Sequence, residues 1–160
     1  MEKTPPASTS LEQMAEEIFA LTVMGWRQRL SKAHTTELSE SQYLTIETLV
    51  NARGTLTVGE IQRAIGVLPA QMSRIIRALE SSSGSNAFDK PLIRCELNQS
   101  DKRKIDVHLL PEGRRIFDEF RMAYLTKTVD VLKNLADKDR TEFVRICRRI
   151  REVVNTPAPS

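Results

Sequence analysis

Thr57-Val58-Gly59-Glu60-Ile61-Gln62-Arg63-Ala64-Ile65-Gly66-Val67-Leu68-Pro69-Ala70-Gln71-Met72-Ser73-Arg74-Ile75-Ile76-Arg77-Ala78-Leu79 reads as two short helices joined by a tight turn. Thr57 and Glu60 stand at capping-box spacing, where the hydroxyl and the carboxylate each satisfy a free backbone N–H of the first turn. Val58, Ile61 and Ile65 recur at helical spacing and mark one buried face. Gly66 suits the left-handed residue that follows a helix, and Pro69 suits the first position of the next. Met72, Ile75, Ile76 and Leu79 form the second helix's apolar stripe. Its opposite face carries Ala70, Gln71, Ser73, Arg74 and Arg77, with no acid until Glu80. Donors on an outward helix face, free of carboxylates, suit the edges of DNA bases.

A chain of 160 residues holds one domain with a genuine core and is short for two of usual size. The net charge is only +3, so a nucleic-acid reading must rest on where the charge sits. Two concentrations matter. Residues 63–79 hold three arginines and no carboxylate, and Lys102-Arg103-Lys104 puts three cations at a turn. Arg145, Arg148, Arg149 and Arg151 form a third cluster, which fits the solvated face of a helix. The start, Met1 to Ser10, is polar and Pro-rich, without the apolar run of a signal peptide. No apolar stretch approaches the roughly 20 residues of a membrane span. Cys95 and Cys147 lie far apart on apolar phases, which predicts packed, reduced thiols, no disulfide and a cytoplasmic setting.

Working outward, residues 1–10 are expected to be a disordered leader. Leu11, Met14, Ala15, Ile18 and Leu21 form one helical stripe, with Phe19, Val23, Trp26 and Leu30 as a second beside it. So wide an apolar arc predicts that one face meets another subunit. Ser39 to Gln42 repeats the capping-box spacing, and Tyr43, Ile46, Leu49 and Val50 carry that helix to about Arg53, before Gly54. Ser81 to Asn86 reads as an exposed loop with no packing role. Ile93, Cys95 and Leu97, then Ile105, Val107 and Leu109, alternate with polar residues on either side of the turn Asn98 to Lys104, which predicts a β-hairpin. Pro111-Glu112-Gly113 opens a long helix with Phe117, Phe120, Tyr124, Val131 and Leu135 in one phase. Asp137 is placed as the cap of a last helix with Phe143, Ile146, Cys147, Ile150, Val153 and Val154 as its stripe, so Cys147 reads as a core residue. Residues 155–160 are expected to fray.

This order, mainly α with a small β-hairpin wing, resembles the multiple-antibiotic-resistance regulator (MarR) family of winged helix-turn-helix repressors from about Leu11 to Val154. The resemblance is carried by Val67 to Glu80, similar to that family's recognition helix. It is carried equally by Asp101-Lys102-Arg103 followed by Val107-His108-Leu109-Leu110-Pro111-Glu112-Gly113, similar to its wing-tip Asp-x-Arg and Leu-Thr-x-x-Gly. It implies a single domain over 11–154, with a winged helix-turn-helix at 38–110 and dimerisation helices at 11–34 and 111–154. It implies a ligand-responsive homodimer that represses transcription from a pseudo-palindromic double-stranded operator. By the same resemblance Arg103 is the minor-groove residue of the wing, Asp101 its orienting partner, and Ala70, Gln71, Ser73, Arg74 and Arg77 the major-groove set, with Arg74 suited equally to phosphate and to a base.

Side-chain chemistry fits those roles. Gln pairs with adenine, Arg with guanine, and a small Ala permits close approach or contact with a thymine methyl. An arginine on a hairpin suits the negative potential of a narrow minor groove, with Lys102 and Lys104 on phosphate. The alternative for Arg103 is a salt bridge to Asp101 on a solvated loop. Leu68 and Leu110 stand where the family carries Ser or Thr caps, and the 81–89 loop is longer than expected. A small aromatic or phenolic effector is the implied switch, with Trp26, His34, Tyr43 and Tyr124 as candidate pocket residues; each also suits an ordinary core role. The histidines and cysteines lack paired metal-ligand spacing. No phosphate-binding glycine loop, nucleophile elbow or His-Glu-x-x-His is present, so no metal, cofactor or enzymatic activity is expected. The rival reading is a winged-helix protein-interaction module that binds no specific operator.

Overall fold

A computed structural model describes residues 9–30, 38–81 and 88–155, without the side chains of 26–30 and 155. The chain divides into two compact units, residues 1–37 and 38–160. The first contributes one helix, α1 (Leu11–Leu30), on which Leu11, Met14, Ile18, Phe19, Leu21 and Met24 are exposed.

The second unit runs α2 (Glu40–Asn51), β1 (Thr55–Thr57), α3 (Val58–Ile65), α4 (Pro69–Glu80), β2 (Ile93–Leu97), β3 (Ile105–Leu109), α5 (Pro111–Leu132) and α6 (Asp137–Asn155). Both expected capping boxes form. Ser39 and Gln42 close the first turn of α2, and Thr57 and Glu60 that of α3. The Glu60 carboxylate accepts from the Thr57 N–H at 2.8 Å and from its hydroxyl at 2.7 Å. Those bonds, the backbone one foremost, hold the Glu60 carboxyl below the usual carboxylate range. Gly66 takes φ 69 after α3, the left-handed conformation that glycine adopts without the steric cost of a Cβ.

The apolar stripes converge as their periods predict. Ile46 and Leu49 of α2, Ile61 of α3, and Met72, Ile75, Ile76 and Leu79 of α4 are buried together with Val107 of β3 and Phe117 of α5. Each fully buried aliphatic side chain contributes about 1.5–3 kcal/mol. Phe88 and Leu92 join this core although they lie beside the segment read as a loop without packing role. Ser82 to Asn86 themselves lie outside the described residues.

The hairpin is part of a three-stranded antiparallel sheet, ordered β1-β3-β2. β1 was not expected: three residues are too few for a period, and Thr55 to Thr57 become a strand only because Leu56 pairs with Val107. At the far end of the hairpin Leu97 and Ile105 pair with each other, yet are 61% and 44% exposed, because the wing extends past the core.

The C-terminal helices depart from expectation in three places. Leu135 falls in the turn after α5, which ends at Leu132. Asp137 is the first helical residue of α6 rather than its cap, paired with Arg140 at 2.9 Å. Cys147 is only half-buried, and every other described side chain of α6 is exposed, so its stripe has no partner within the described residues. No described helix is long and apolar enough to cross a membrane.

Candidate nucleic-acid interface

α4 packs on the core by its apolar side. Met72, Ile75, Ile76 and Leu79 face inward, while Ala70, Gln71, Ser73, Arg74 and Arg77 are all exposed. The Ser73 hydroxyl donates to the Pro69 carbonyl at 3.1 Å, and Arg77 Nε to the Ser73 carbonyl at 3.2 Å, so both side chains lie along the helix rather than against another element. The helix begins without a side-chain cap. Leu68 occupies that position, 74% exposed, and Pro69 follows at the first turn.

Two bonds fix α4 to the sheet. The Leu92 N–H donates to the Leu79 carbonyl, and the Cys95 N–H to Glu80 Oε1, both at 2.8 Å. Glu80, the first acid of the helix, is thus turned toward β2 and away from the cationic face. Burial, reinforced by the neighbouring Glu80 charge and a hydrogen bond to it, pushes the Cys95 thiol up to about 12. A thiol held protonated is a poor nucleophile and a poor redox sensor. Among the described residues no three His, Cys, Asp or Glu side chains come together to hold a metal ion.

The wing presents the cations. Arg103 is 91% exposed at its side chain, and Asp101 Oδ1 accepts from its backbone N–H at 3.1 Å and from its Nε at 3.2 Å. Lys104 Nζ reaches the other Asp101 oxygen at 3.7 Å. The Asp101 carboxyl is held below its ordinary range, first by the Arg103 N–H and then by the guanidinium. The salt bridge foreseen as an alternative to groove insertion therefore exists, through Nε, and coexists with an exposed guanidinium. Lys102 is exposed beside it. Arg103 and Lys104 also line a cleft of about 410 Å³ with Arg63 and the opening turn of α3, so the wing tip and the start of α3 share one opening in which Glu60 stands among three cations.

Of the effector candidates, Tyr43 and Tyr124 have described side chains. Tyr43 is half-buried, stacked on Phe117 at 5.0 Å and tilted against Phe120 at 5.2 Å, an aromatic core contact. Burial raises its hydroxyl above the ordinary value. Tyr124 is 61% exposed on α5. His34 and the Trp26 side chain lie outside the described residues. Asn98, Asp106 and Glu80 were missed from the sequence; the one available signal was Asn98, whose place before Gln99-Ser100-Asp101 suits an Asx turn.

A helix pair with an outward second helix, backed by a three-stranded sheet whose hairpin carries exposed arginine, defines a winged helix-turn-helix protein. More narrowly, its fold is that of the MarR-family regulators. Among solved structures it resembles a MarR family protein from Bacillus stearothermophilus, at 19% identity over 91% of this chain and 94% of that one, with a TM-score of 0.67. It resembles the PcaV transcriptional regulator from Streptomyces coelicolor, solved with its natural ligand, at 17% identity over 97% and 100% of the two chains, with a TM-score of 0.55. A third is BpsR from Bordetella bronchiseptica, whose DNA binding is regulated by 6-hydroxynicotinic acid, at 17% identity over 84% and 98%, with a TM-score of 0.56. At these identities the likeness is one of fold. No protein-family model matches the sequence, and no curated protein matches it.

Proposed function

We propose that this chain is a sequence-specific double-stranded DNA-binding transcriptional regulator, a homodimeric repressor that responds to a small aromatic or phenolic ligand. The observation that carries the reading is the sorting of charge on α4 and the wing. All five outward residues of α4 are neutral or cationic and exposed, while Glu80 and Asp101 are each engaged within the protein. Such a surface meets phosphate without carboxylate repulsion and leaves Gln71, Arg74 and Arg77 free to pair with base edges. The fold, shared with BpsR and PcaV, supports the same reading, and the regulation of BpsR by 6-hydroxynicotinic acid supports an aromatic effector here.

Dimerisation is inferred from the apolar surface a single chain leaves in water. Phe143, Ile146, Ile150, Val153 and Val154 on α6 and Leu11, Ile18 and Phe19 on α1 are all exposed. Patches of this extent mark interfaces. Two-fold symmetry then sets two recognition helices one DNA turn apart.

Selection of bound sites from a random duplex pool, followed by footprinting, tests the proposal. The expected footprint has two half-sites about 10 bp apart, centre to centre. Gln71→Ala should relax preference at one base pair by about 1–3 kcal/mol, and Arg103→Ala should weaken binding at flanking A·T sequence. Equal affinity of wild type and variants for random DNA would refute operator recognition and leave the protein-interaction module standing.

A further inference from the structure

The wing turn is organised around a side chain that neither faces outward nor carries charge. Asn98 Oδ1 accepts from the Ser100 N–H at 3.0 Å and the Asp101 N–H at 2.8 Å. Its Nδ2 donates to both oxygens of Asp106, each at 2.9 Å, across the hairpin. Its backbone N–H donates to the Lys104 carbonyl at 3.0 Å, and the Lys104 N–H returns to the Asp101 carbonyl at 2.9 Å. Asp101, pinned in this way through its own N–H, is the residue whose carboxylate grips Arg103. One chain of bonds runs from Asp106 on β3 through Asn98 and Asp101 to the exposed guanidinium.

We propose that Asn98 and Asp106 are positioning residues for DNA recognition: anchored to β3, they hold the turn that aims Arg103, without touching the nucleic acid. The inference rests on the DNA-binding reading above. Two consequences follow from the geometry. Asp106 is engaged by Asn98, which withdraws a carboxylate from the cationic wing. Ordering of the arginine's backbone also occurs before binding, so that part of the entropy is not lost on complex formation.

Asn98→Ala leaves the net charge unchanged but frees the Asp106 carboxylate, so the Arg103→Ala background is needed to separate aiming of the guanidinium from a change in phosphate attraction. In the full-length protein it should lower affinity for the selected operator about tenfold, the scale for leaving one long side chain to be ordered on binding. In an Arg103→Ala background the same change should alter affinity less than twofold, because there is no guanidinium left to aim. The double variant Asn98→Asp, Asp106→Asn exchanges donor and acceptor at constant net charge and should restore affinity to within about threefold of wild type. Without DNA, the ¹⁵N{¹H} nuclear Overhauser effect of amides 99–104 should fall in Asn98→Ala and recover in the exchange variant. If Arg103→Ala weakens binding but Asn98→Ala does not, or if the two losses add, the positioning role is overturned while the proposed function stands. If Arg103→Ala has no effect on operator binding, the wing reading itself fails and carries this inference down with it.

Discussion

Replacing Gly113 by Ala sets two physical effects against each other. Gly113 lies in the first turn of α5 and is buried. Helix propensity alone predicts that Ala stabilises such a position by about 0.8–1.0 kcal/mol. A Cβ there would fall 2.2 Å from the Leu92 carbonyl oxygen and 2.8 Å from Leu109 Cδ1. Carbon and oxygen accept no less than roughly 3.3 Å, so α5 must retreat by about 1 Å. Retreat pulls on the Leu110 N–H, which donates to that same carbonyl at 3.0 Å. Overpacking costs about 1–3 kcal/mol and a weakened bond about 0.5–1.5 kcal/mol, so after the propensity gain the net loss is about 0.5–3.5 kcal/mol. For a chain of this length that is a fall of roughly 1–14 °C in Tm. Thermal unfolding followed by circular dichroism measures it, at one fixed protein concentration because the Tm of the proposed dimer depends on concentration. Gly59→Ala is the control, since nothing lies within 4 Å of its Cβ position and propensity should act alone. A Gly113→Ala protein as stable as wild type, beside a stabilised Gly59→Ala, would refute the claim that backbone approach to Leu92 dictates glycine.

Leu68 caps α4 with an exposed apolar side chain and no side-chain hydrogen bond, so Leu68→Ser should raise stability by about 0.5–2 kcal/mol, read from urea midpoints at unchanged m. The Cys95 thiol, pushed up to about 12 from an ordinary 9.0, should carry about a thousandfold less thiolate at pH 8 and react correspondingly slowly with iodoacetamide in a Cys147→Ser background. Because the folded thiol keeps its proton to higher pH than the unfolded one, its contribution to stability is complete below pH 9 and is lost as pH rises toward 12. Glu80→Gln, which removes the charge but keeps an acceptor for the Cys95 N–H, should speed the alkylation; unchanged rates would show that Glu80 does not act on the thiol.

What could be read from the chain was whatever is settled within one or two helical turns. Thr57 with Glu60, and Ser39 with Gln42, meet their backbone partners three residues away, so spacing alone determined the start of α3 and of α2. The inward and outward faces of α4 likewise followed from a period of 3.6, which no later contact could reverse without exposing Met72 and Ile76. Tertiary structure decided the features whose partners are distant in sequence or close only in space. Thr55 to Thr57 became a strand by pairing with residues 106–108, and Phe88 and Leu92 became part of the buried core cluster. Glu80 turned from a helix-end acid into a strut on β2, and Gly113 became obligatory through a carbonyl 21 residues before it. The physical difference is range: backbone caps and amphipathic periods are local free energies that a window of sequence contains, whereas register, close approach and hydrogen bonds such as Asn98 to Asp106 exist only once chain closure brings both partners together.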